Sequence, residues 1–90
     1  MYTFNAKLQK EAFSDGDVMI HNTETQTVHI LNPTSVAVLD LILEHETAEA
    51  LSLFLSRFSG DPSEAQRKEM ESDFLSTVDA LKEKEIVFAS

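Results

Sequence analysis

Residues 27–43 of this chain read TVHILNPTSVAVLDLIL, and the hydrophobic period changes in the middle of the run. From Thr27 to Leu31 the pattern is that of a strand. Val28 and Ile30 fall on one side, and Thr27, His29 and Leu31 on the other. From Thr34 onward the apolar residues follow as in a helix. Only Asn32-Pro33-Thr34 separates the two segments. Pro33 suits the first turn of a helix, where its missing N–H costs nothing. Asn32 or Thr34 can supply the side-chain oxygen that caps the free N–H groups. Any fold for this chain must therefore hold a strand and a helix at one short corner.

The segments on either side extend the pattern. Residues 7–13, KLQKEAF, read as a first strand, and Ser14 to Asp17 as a turn in which Gly16 is free to take positive φ. VMIHN follows, with Val18 and Ile20 on one face and Met19 and His21 on the other. The polar stretch Thr23 to Gln26 then connects to Thr27, which predicts an antiparallel hairpin. Beyond the corner the chain is helical. Helix one runs from Thr34 to Glu44. Helix two starts near Thr47 as its N-cap and reaches Phe58, with Leu51, Phe54, Leu55 and Phe58 as a one-sided stripe. Ser59 to Ser63, containing Gly60 and Pro62, breaks it. Helix three spans Ser63 to Lys84, with Met70, Phe74, Val78 and Leu81 inward and Leu75 on the flank. Ile86 and Phe88 are expected to tuck back onto the core. The order predicts an α+β fold of the winged helix-turn-helix kind, a three-stranded antiparallel sheet followed by three helices. Ninety residues allow one domain, 1–90.

Composition narrows the function classes. Sixteen acidic against seven basic residues give a net charge of −9, which repels phosphates and attracts basic partners. A nucleic-acid partner is therefore not expected, and a winged-helix DNA-binding transcriptional regulator is kept only as the alternative. There is no cysteine, which excludes disulfides, thiolate nucleophiles and cysteine-based metal centres. No apolar run is long enough for a membrane span, and no signal-peptide pattern opens the chain, so a cytoplasmic location is expected.

No catalytic constellation stands out. His21 and His29 lie on neighbouring strands and could face each other across the hairpin, yet no third ligand is marked by spacing. They read as polar residues of the outer face, and no metal site is assigned. His45 near the end of helix one is explained by the helix dipole. The serines lack a Gly-x-Ser-x-Gly elbow, and two glycines make no phosphate loop. The carboxylates are spread over helix surfaces, and no cofactor is implied. What remains is the strand edge. A three-stranded sheet has two edge strands, and Thr27 to Leu31 contains no proline, lysine or bulge signal to protect it. It could accept another chain's strand, unless another local strand covers it.

The run DGDVMIHNTETQTVHILNPTSVAVLDLI resembles the PqqD family. Leu31-Asn32 stands where that family has a Leu-Asn pair. The Thr47-led AEALSLFLSRF resembles its second helix, and DFLSTVDALKEKEIV its third. The resemblance covers residues 15 to 88. It departs after helix one, where EHET replaces Asp-Gly, and at Glu85, where a glycine commonly precedes the final hydrophobic pair. The resemblance implies a non-catalytic, winged-helix-like domain for ribosomally synthesised and modified peptides. Such a domain binds the leader of a precursor peptide as an added strand beside the third strand, in a groove with the third helix. It then presents the peptide to a modifying enzyme such as a radical SAM protein, a cyclase or a leader protease. Mapped onto this chain, the peptide-binding residues are Thr27, Val28, His29, Ile30 and Leu31, with Met70, Asp73, Phe74, Leu75 and Val78 from the helix.

Overall fold

The computed structural model describes residues 1–57 and 63–89. The expected end of helix two at Phe58 and the break through Gly60 and Pro62 lie outside the described residues. The elements are β1 (Tyr2–Phe4), β2 (Leu8–Ala12), β3 (Val18–Asn22), β4 (Thr27–Leu31), α1 (Pro33–Glu44), α2 (Thr47–Ser56), α3 (Glu64–Glu83) and β5 (Val87–Ala89). The fold is α+β, with the three expected strands as the antiparallel sheet β2-β3-β4 and the three helices after it.

The sheet register follows from two turns. Gly16 adopts φ +94°, as the first turn requires, and a Cβ added there would lie 3.1 Å from the Pro33 ring. The β2–β3 turn therefore packs against the start of α1. In the second turn the Asn22 carboxamide accepts the Glu24 N–H at 3.0 Å, and Gln26 takes φ +57°. That loop pairs Asn22 with Thr27, Ile20 with His29 and Val18 with Leu31. Partners across a ladder share a face. Val18, Ile20 and Leu31 thus face the helices, while Met19, His21, Val28 and Ile30 face outward.

The corner that the sequence predicts is present. Asn32 is the N-cap of α1, and its Oδ1 accepts the Ser35 N–H at 2.8 Å, with Pro33 in the first turn. Helix α1 buries Val38, Leu39 and Ile42 against Ile20 and Leu31 of the sheet, Ala50 and Phe54 of α2, and Phe74, Val78 and Leu81 of α3. The rings of Phe54 and Phe74 lie 5.4 Å apart in a tilted pair. Ser63 caps α3 in a reciprocal box. Its Oγ accepts the Gln66 N–H, and the Gln66 Oε1 accepts the Ser63 N–H.

Two local expectations are corrected. Thr47 is the first helical residue rather than the cap, because Glu46 takes the extended N-cap conformation. The Glu46 side chain makes no capping bond and instead pairs with the N-terminal ammonium at 3.2 Å. The two chain ends also meet, as β5 pairs with β1 in a second, two-stranded antiparallel sheet. Within β5 the alternation places Val87 inward, so Phe88 does not tuck into the core and is exposed.

The exit from α3 is a Schellman turn. The Ile86 N–H donates to the Leu81 carbonyl and the Glu85 N–H to the Lys82 carbonyl, both at 3.0 Å. Glu85 occupies the left-handed position of this turn with φ +56°. Ile86 and Leu81 are both buried, which completes the motif's apolar contact. Asn5 ties β1 to this exit. Its backbone N–H donates to the Ile86 carbonyl and its side-chain amide to the Glu85 carbonyl, each at 2.9 Å.

Candidate functional site

In the sheet β2-β3-β4, the central strand is β3 and the edges are β2 and β4. Among the described residues no strand pairs with the outer side of β4, and the remaining short strands, β1 and β5, pair with each other. An edge strand turns every second N–H and C=O away from its neighbour, so β4 offers a backbone ladder to an incoming chain.

The two edges differ in chemistry. Strand β2 carries Lys10 and Glu11 and follows Lys7, whose ammonium pairs with Glu24 at 3.4 Å. Charged side chains at an edge oppose strand addition. Strand β4 carries no Lys, Arg, Asp or Glu, and its proline comes only after the strand has ended. Its carboxyl end is fixed by the Asn32 cap and the packing of Leu31, which is 5% exposed. The strand is thus held in its extended form before any partner arrives, which lowers the ordering cost of binding.

The side chains of β4 sort by face. Leu31 enters the core, and His29 is half-buried beside Ile20. Thr27 is exposed, with its hydroxyl 2.8 Å from that of Thr25. Val28 and Ile30 stand outward at 50% and 54% exposure, large values for β-branched apolar residues. On that face Met19 pairs with Ile30 and His21 with Val28. Met19 extends the apolar row into β3. The alternation of VMIHN had placed it outward, but no role was assigned to it from sequence.

The register also settles the histidine pair. His21 is opposite Val28 and His29 is opposite Ile20, so the two imidazoles lie on opposite faces of the sheet. Among the described residues no group of three His, Asp or Glu side chains is placed to hold a metal ion.

The α3 candidates separate in the same way. Phe74 is fully buried and Val78 is 3% exposed, so both belong to the core and present no surface to a ligand. Met70 is half-buried on the same side of the helix. Leu75 is 43% exposed and sits in a shallow depression of about 430 Å³ with Lys68, Glu71, Ser72, Ser76 and Asp79. Asp73 is exposed and lies two positions from Leu75, about 200° around the helix. Asp73 and Leu75 therefore occupy opposite flanks of the buried stripe.

The family model described as Coenzyme PQQ synthesis protein D (PqqD) matches residues 17–87. A solved structure of TbiB1 in complex with the TbiA(beta) leader peptide is 20% identical, with a TM-score of 0.73 over 98% of this chain and 99% of that one. A lasso peptide synthetase B1 complexed with the leader peptide is 17% identical, with a TM-score of 0.77 over 98% of both chains. No curated protein sequence matches the chain.

Proposed function

The chain belongs to the PqqD family, and on that premise we propose that it is a non-catalytic recognition domain for the leader segment of a ribosomally synthesised precursor peptide. The observation that carries the reading is β4, an uncharged edge strand without a described partner, pinned at its end by Asn32. The leader adds as a fourth strand along Thr27–Leu31. Main-chain hydrogen bonds supply part of the affinity, and side-chain contacts supply selectivity. Residues 1–90 act as one unit, in the cytoplasm, where precursor peptides are made.

From α3, Leu75 borders the bound peptide, while Met70, about 140° around the helix from it, lies toward the Asp73 flank. Phe74 and Val78 hold the helix in place from the core side. Asp73, on the flank opposite Leu75, points away from it. Both fold neighbours were solved with leader peptides, in keeping with this reading. The domain carries no chemistry of its own and hands the peptide to a modifying enzyme such as a radical SAM protein, a cyclase or a leader protease. The DNA-binding alternative is not favoured, because a net charge of −9 opposes a phosphate backbone.

Fluorescence anisotropy with a labelled leader, taken from the precursor encoded beside this chain, tests the proposal. Saturable binding at low micromolar concentration is expected. A folded protein that shows no binding at tens of micromolar would sink it.

A further inference from the structure

The outward face of an antiparallel sheet is normally polar when no layer covers it. On this sheet the β2 positions of that face are polar, Gln9 and Glu11, and β3 carries Met19 and His21, whereas both β4 positions, Val28 and Ile30, are apolar. The apolar character increases toward the free edge, from half-buried Met19 to the half-exposed Val28 and Ile30. The two exposed residues are spaced two apart on the edge strand itself. A strand added beside β4 places its own outward side chains next to them, where cross-strand pairs form.

We infer that Val28 and Ile30 set the register and the selectivity of the bound peptide, and that the leader carries two apolar side chains, two positions apart, beside them. The inference rests on the reading of β4 as the peptide-accepting edge, and adds to it the chemistry of the occupant. A one-residue slip of the incoming strand turns its whole outward set to the opposite face. With apolar residues at the two paired positions, a slip would leave Val28 and Ile30 uncovered and turn the peptide's apolar pair toward the helix side. Main-chain hydrogen bonds alone do not distinguish these registers, so the two side chains must.

The test uses the labelled leader with the full chain and its Val28→Thr, Ile30→Thr variant. Threonine keeps the β-branch and hence the strand propensity, so the fold is retained. A Gln9→Thr variant, on the same face at the opposite edge, is the control. The double variant is expected to bind the leader about tenfold more weakly, as two pairs lose apolar burial. Gln9→Thr is expected to bind as the parent does. Replacing the leader's two paired apolar residues by threonine should weaken binding to the parent, with little further loss on the double variant.

Equal leader affinity for the parent and the double variant would overturn the inference while leaving strand addition standing. Equal affinity with slower modification of the precursor would also overturn it, and would assign the apolar row to the modifying enzyme. A leader that does not bind the parent protein would remove both the inference and the reading beneath it.

Discussion

The Asn32 side-chain oxygen accepts a hydrogen bond from the Ser35 backbone N–H at 2.8 Å, so the residue that ends β4 is also the residue that starts α1. This single contact converts a strand followed by a helix into one rigid corner. Asn32→Ala should lower stability by about 1 kcal/mol, the usual cost of losing an N-cap, whereas Asn32→Ser should retain most of it. Urea unfolding followed by circular dichroism measures both. Leader affinity should fall for Asn32→Ala as well, because the template strand is then less firmly held.

Glu85 stands in the left-handed conformation at φ +56°, the position that a Schellman turn usually gives to glycine. A side chain there costs on the order of 1 kcal/mol. Glu85→Gly is therefore expected to raise the unfolding midpoint, by up to about 1 kcal/mol in stability after the entropy of glycine is counted. The site is remote in sequence from β4, and leader binding should be unchanged.

On α3, burial and exposure separate structural from binding roles. Phe74→Ala should cost about 3–5 kcal/mol, since it opens a cavity against Phe54. Leu75→Ser should change stability by no more than about 0.5 kcal/mol but should weaken leader binding. Asp73→Ala, on the opposite flank, should do neither. Thermal unfolding together with anisotropy on the three variants distinguishes these outcomes.

These contrasts show what could be read from the chain alone. Strands β3 and β4, helix α3 and the Asn32-Pro33 corner were legible because their signals are local, in period, cap and proline position. The pairing of β1 with β5 was not. It joins Tyr2 to Ala89 through two three-residue strands, and nothing within either segment announces a partner so far away. The faces of His21 and His29 depended on parity. A four-residue loop pairs Asn22 with Thr27 and sends the two imidazoles to opposite sides. Phe88 turned outward for a similar reason, since the alternation within β5 gives the inward place to its neighbour Val87. The third helix was read correctly as an element. Its groove-facing residues were less legible, because Phe74 and Leu75 are both large and apolar, and only the packing against α1 and α2 decides which of them is core.

The claim that a peptide adds to β4 is tested most directly by hydrogen–deuterium exchange, read residue by residue with NMR, with and without the leader. The outward-pointing amides between Thr27 and Leu31 should slow strongly when the leader is bound, while the free edge of β2 stays as it was. Saturable leader binding with no change at the β4 amides, or with protection at β2 instead, would contradict the account.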